Sequence, residues 1–138
     1  MTNVPPTDAS GPSGLTKPRT ILIADDSQMV RAKIRQALER ETDFQICGEA
    51  NDGVEAVAKA NELTPDLILL DVKMPRLTGL EVAGILRHTQ PRIRIMMMTM
   101  YAEELNQRLT SLFGVDAVFS KSDGVTKLIE CVENLLAA

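Results

Sequence analysis

Apolar residues gather in five short, mostly aliphatic runs: Ile21-Leu22-Ile23-Ala24, Phe44 to Gly48, Leu67-Ile68-Leu69-Leu70, Ile93 to Met98 and Val115 to Phe119. Such runs are nearly continuous rather than alternating, the pattern of strands covered on both faces. Between them the apolar spacing changes to three and four. Val30, Ile34, Ala37 and Leu38 form one stripe, with Ser27 placed to cap its helix. Val54, Val57 and Ala58 follow the turn signal Asn51-Asp52-Gly53. Leu80, Ala83 and Leu86 mark a third helix, ended by Pro91, and Leu105, Leu109, Leu112 and Phe113 a fourth, stopped at Gly114. Val125, Leu128, Ile129, Val132, Leu135 and Leu136 mark the last. Five β-α units with short links predict an α/β fold: a parallel five-stranded sheet with helices on both faces. In such a sheet, ligands bind beyond the carboxyl ends of the strands.

The first 18 residues lie outside this pattern. They carry four of the seven prolines with Gly11, Gly14, Ser10 and Ser13. Too little apolar surface is present there to offset the entropy of ordering, so residues 1–18 are expected to form a flexible tail. The remainder, 19–138, has the length of one domain. A net charge of -4 and a pI near 5.0 give no basic field for nucleic acid or an anionic membrane. Cys47 and Cys131 are far apart and form no metal-binding or disulfide pattern. No run reaches the roughly 20 apolar residues of a membrane span, and a cytoplasmic location is expected.

Polar residues at the ends of the runs carry the candidate chemistry. Asp25 and Asp26 follow the first run, Asp71 the third, Thr99 the fourth and Lys121 the fifth. Singly, each has a structural explanation: a charge near a helix N-terminus, a turn, a cap, a solvated lysine. Together they suit phosphoryl transfer to a carboxylate. Clustered acids repel, and Mg2+ with oxygen ligands relieves that repulsion. Asp71 then serves as nucleophile, Lys121 offsets charge on the transferred group, and Thr99 donates a hydrogen bond to a phosphate oxygen.

The stretches "ILIADDSQMVR", "DLILLDVKMPRLTGLEV", "MMMTMYAEE" and "VFSKSDG" resemble the receiver domains of two-component response regulators, CheY-like in fold, with wording closest to receivers of LuxR-type regulators. The resemblance covers residues 19 to 137 and implies strand order 2-1-3-4-5. It implies Asp26 and Asp71 as direct Mg2+ ligands, Asp25 acting through water, and the Lys73 carbonyl as a further ligand. It makes Asp71 the phosphoacceptor, Thr99 the switch hydroxyl and Lys121 the site ammonium. The donor expected is a sensor histidine kinase or phosphotransfer protein, and the phosphorylated chain changes its surface toward a downstream protein or output domain. The chain is expected to be a single-domain regulator or one truncated from a DNA-binding regulator, without direct nucleic-acid binding of its own. It contributes to its own phosphotransfer and slow dephosphorylation without being a metabolic enzyme.

Departures from the family pattern sharpen these expectations. Val118 replaces an aromatic residue three positions before the lysine, and Phe119 is expected to pack in the core. Ser122 follows Lys121 where many receivers have proline, so a trans bond is expected there. Met100 replaces a smaller residue after Thr99. Lys73 and Tyr101 flank the water path to an acyl phosphate, and both are large, which points to slow hydrolysis. His88 is expected at the surface near a helix end, without a catalytic role. Met96, Met97 and Met98 are expected as core packing. Lys73 stands where an aspartyl-phosphate phosphatase tends to carry a second acid. A flavodoxin-like cofactor site lacks its glycine-rich phosphate loop here. A receiver that binds partners without being phosphorylated would have no use for the intact acid set.

Overall fold

The computed structural model describes residues 17–100 and 107–137. The expected tail falls almost wholly outside them. Five strands alternate with helices: β1 Thr20–Ala24, α1 Gln28–Glu41, β2 Gln45–Ala50, α2 Gly53–Leu63, β3 Leu67–Asp71, α3 Gly79–Thr89, β4 Arg94–Thr99, α4 Gln107–Leu112, β5 Ala117–Ser120 and α5 Gly124–Leu136, with a 3-10 turn over Lys121–Asp123. All pairings are parallel. The strand order is β2-β1-β3-β4-β5, as expected.

Alternate residues of the central strands feed two cores. Leu22, Ile68, Leu70, Ile95 and Met97 meet Ala56 and Ala60 of α2 and Val82, Ala83 and Leu86 of α3. Ile21, Ile23, Leu67, Leu69, Met96 and Met98 meet Ile34 and Leu38 of α1 and Leu128, Val132 and Leu136 of α5. This two-sided burial is why the runs contain no polar alternation. The three consecutive methionines are buried strand residues, and Phe119 is buried with the α1–α5 core.

Local signals end the helices where expected, with some shifts. The Ser27 hydroxyl caps α1, and Gly114, after α4, takes the left-handed conformation at φ 72°. The second strand runs on through Glu49 and Ala50. The buried stripe of α2 is Gly53, Ala56 and Ala60, whereas Val54 and Ala58 are exposed. Helical spacing alone did not distinguish these stripes, and small residues let α2 approach the sheet and α3 closely. Leu112 is exposed. Leu105 and the side chain of Leu109 lie outside the described residues.

One ion cluster ties α1 to the edge strand β2. Arg31 and Arg35 contact separate oxygens of Glu49 at 2.9 and 2.7 Å. Burial pushes the Glu49 carboxyl up, but hydrogen bonds from Arg35 and Arg31 more than reverse this and hold it below the usual range. A lowered folded-state pKa stabilises the fold above the unfolded value of about 4.3, and the effect is lost as pH falls through the folded value. Glu49→Gln should therefore cost about 1 kcal/mol near pH 7. Urea denaturation of parent and variant from pH 7 downward should show the gap closing below about pH 4.

Candidate functional site

The sheet order brings the acids together. Ala24 lies opposite Leu70 in the β1–β3 register, so Asp25 and Asp71 emerge side by side from adjacent strands. Oxygens of Asp25, Asp26 and Asp71 lie within 4.8 Å of one another. Asp25 is fully buried and Asp71 nearly so, while Asp26 is exposed.

Each acid is placed differently by its local chain. The Asp25 N–H donates to the Ala50 carbonyl at 3.0 Å. One Asp25 carboxylate oxygen accepts from the Ser27 N–H at 2.9 Å. Asp71 is the last residue of β3. The loop after it is anchored by Val72 N–H to the Met98 carbonyl at 3.1 Å and by Gly79 N–H to the Val72 carbonyl at 2.9 Å. A Cβ at Gly79 would collide with the Asp71 carbonyl, and one at Gly53 with Leu77. These two glycines therefore let both helix starts close on the loop. A reciprocal cap between Thr78 and Glu81 starts α3, and within the loop Arg76 holds a left-handed φ of 76°. For a residue with a Cβ that conformation carries strain.

Lys121 arrives from β5. Its Nζ lies 2.7 Å from Asp25 Oδ2 and 3.2 Å from Asp71 Oδ1. The lysine reaches both acids from a trans Lys121–Ser122 bond, since the described residues contain no cis peptide. Thr99 closes β4, buried and register-paired with Ser120, so it stands at the same strand edge. Lys73 is exposed on the loop after Asp71. Tyr101 lies outside the described residues. Val118 packs partly buried against the α2–α3 core, on the opposite side of β5 from Phe119. Exposed Met100 lines an apolar groove of about 460 Å³ with Val30, Phe119 and Leu128, which reaches Lys121. His88 is exposed in the last turn of α3.

Among the described residues the charge in the site is unbalanced, with three clustered carboxylates and one ammonium, Lys121, in contact with two of them. Burial raises the Asp71 carboxyl above its ordinary pKa and Asp25 raises it further, against the opposing pull of Lys121. Burial pulls the Lys121 ammonium down, yet its contacts to Asp25 and Asp71 leave it raised. A divalent cation suits this donor set. All three candidate ligand atoms are hard carboxylate oxygens gathered at one strand edge, the donor type that Mg2+ takes.

The supports carry no functional signal in the sequence: Gly53 reads as part of a turn, and Arg31 donates from Nη1 to the Asp25 carbonyl at 2.6 Å. Gly79 was visible only as a loop residue. Arg31 follows Ser27 at the spacing of an ordinary helix surface residue.

Lys121 is the hinge of this charge arrangement. Lys121→Met leaves a buried carboxylate without its cation and should destabilise the fold by about 3 kcal/mol. Adding Asp25→Asn should recover a large part of that loss. Chemical denaturation of the two single variants and the double variant measures the coupling.

The Response regulator receiver domain family matches residues 21–133. The response regulator VraR of Staphylococcus aureus is 34% identical over 112 residues, 81% of this chain and 54% of VraR. The chain thus spans about half the length of the curated relatives it matches. A LuxR-family DNA-binding response regulator from Staphylococcus aureus superposes with TM-score 0.79 at 26% identity, covering 85% of this chain and 98% of that one. TrrA of Thermotoga maritima, solved with Mg2+ and BeF, superposes with TM-score 0.77 at 31% identity, covering 86% and 99%.

Proposed function

The chain belongs to the response regulator receiver family, and from that premise we propose that Asp71 accepts a phosphoryl group in a Mg2+-dependent transfer from the phosphohistidine of a sensor kinase or phosphotransfer protein. Receivers are signalling domains that act as phosphorylation switches and bind Mg2+ at an acidic pocket. One observation carries the assignment to Asp71: of the clustered acids, it alone both ends a central strand and touches the Lys121 ammonium.

Asp26 and Asp71 would hold the metal directly, Asp25 through water, and the Lys73 carbonyl would complete the protein ligands. When bound, Mg2+ supplies positive charge that offsets the transferred group's oxygens and the repulsion among the acids. Asp71 attacks phosphorus through one carboxylate oxygen while the bond to the donor nitrogen breaks, giving an acyl phosphate and a neutral histidine. Lys121 then exchanges part of its contact with Asp71 for a phosphate oxygen, and Thr99 donates its hydroxyl to another. Phosphate and metal then hold Thr99 and the loop after Asp71 in a new arrangement, shifting a pre-existing equilibrium at α4 and β5 toward the form a downstream protein or output domain recognises. A cytoplasmic location goes with that function. Among the described residues no helix is long and apolar enough to cross a membrane.

Incubation with Mg2+ and acetyl phosphate should add one phosphoryl group, located at Asp71 by intact and peptide mass spectrometry. Asp71→Asn should abolish it, because an amide cannot act as the carboxylate nucleophile. Unchanged labelling of that variant would overturn the assignment.

Lifetime is governed by access of water in line with the acyl phosphate. Lys73, exposed two residues beyond Asp71, and Tyr101 are both bulky, so a slowly decaying phosphoprotein is expected. The decay measured after removal of donor should accelerate severalfold in Lys73→Asn combined with Tyr101→Glu. Equal decay in that double variant would place the control of lifetime elsewhere.

A further inference from the structure

A polar chain runs from the edge strand to the acid cluster, and its last link is Arg31. This side chain is only 13% exposed. Its Nε donates to Glu49 Oε1 at 2.9 Å, and its Nη1 donates to the Asp25 carbonyl at 2.6 Å. Glu49 is itself fixed, since its other oxygen accepts from Arg35 Nε at 2.7 Å and its carbonyl accepts from Lys59 Nζ at 2.5 Å. The guanidinium is therefore held at both ends.

The carbonyl that Arg31 grips belongs to the peptide linking Asp25 to Asp26. That unit is planar, so fixing the direction of its oxygen fixes how the Asp26 backbone leaves it. Asp25 has its own restraints in the Ser27 N–H and the Lys121 ammonium. Asp26 differs. Its carboxylate is exposed, and no hydrogen bond within the described residues holds it, so its aim depends on the backbone beneath it. We infer that Arg31 is a positioning residue for the cation site, presenting Asp26 to Mg2+ through the Asp25–Asp26 peptide, with Glu49 setting the rotation of the guanidinium. The inference rests on the reading of this site as a Mg2+-dependent phosphoacceptor.

A planar fork is needed for this task. Donors on two different nitrogens point at a carboxylate on β2 and a carbonyl after β1 at once, which a lysine ammonium on a flexible stem does not reproduce with fixed geometry. A tie between α1 and β2 alone would not need the Nη1 contact, because Arg35 already makes that tie. Arg35 thus provides the control: it belongs to the same cluster but has no bond to the Asp25–Asp26 peptide.

The test titrates Mg2+ into the purified chain, following amide NMR shifts of Asp26 and Asp71, alongside urea denaturation without metal. Arg31→Gln should weaken Mg2+ binding by about tenfold, as loss of a group orienting a metal ligand does. Arg35→Gln, which removes one support of Glu49 but keeps both Arg31 contacts, should lower stability while weakening Mg2+ binding much less than Arg31→Gln does. Arg31→Lys, which keeps the charge and most of the packing, guards against a variant that fails to fold and should also bind Mg2+ more weakly than the parent. Parental affinity in a folded Arg31→Lys or Arg31→Gln overturns the inference, as does an equal loss in Arg35→Gln. A parent protein that binds Mg2+ and is labelled at Asp71 while the Arg31 variants match it overturns this inference alone. A parent showing no Mg2+-dependent shift at either acid overturns the metal reading and the inference together.

Discussion

An ionised carboxylate withdrawn from water is tolerated only when a cation or several donors replace its hydration. Asp25 is fully withdrawn, Asp71 sits beside it, and the single ammonium of Lys121 is shared between them at 2.7 and 3.2 Å. The surrounding structure serves that arrangement. Lys121 must come from β5, which is separated from β3 by β4, so the whole width of the sheet on that side has to be in register before the ammonium reaches the acids. Because the described residues place one cation beside three clustered carboxylates, the site retains negative charge. That surplus gives a divalent cation something to neutralise.

The polypeptide near these acids is fixed from several directions. Helix starts press against the loop after Asp71 through Gly53 and Gly79, and Arg76 in that loop keeps a left-handed conformation. On the other side, Arg31 carries restraint from β2 to the Asp25 carbonyl. Rigid placement of the acids beside a strained loop is a suitable construction for a switch, since a change of charge at Asp71 acts directly on a loop whose backbone is held in an uncommon conformation at Arg76.

Much of this was legible in the chain. Five aliphatic runs gave the sheet because burial on both faces leaves no polar alternation, and every strand-end polar residue singled out lies at the carboxyl edge. The α2 stripe was misread, because Val54 and Ala58 fit a helical period as well as Gly53, Ala56 and Ala60 do, and only packing against α3 and the sheet selects the small residues. Hydrophobicity ranks side chains by transfer from water. It does not register that a helix lying close to its neighbour has room only for a methyl group or a hydrogen.

The sequence by itself determined the element order, the two cores and the identities of the acids, hydroxyl and ammonium. These follow from short-range periodicity and from residue type at run ends. Tertiary structure decided which atoms meet: the Lys121 ammonium shared by Asp25 and Asp71, the guanidinium of Arg31 joining Glu49 to the Asp25 carbonyl, and the glycines against the loop. The partners in those contacts lie between 6 and 96 residues apart in the chain. No local pattern encodes such a pairing. It arises only when strand register and helix packing bring distant positions within hydrogen-bonding distance.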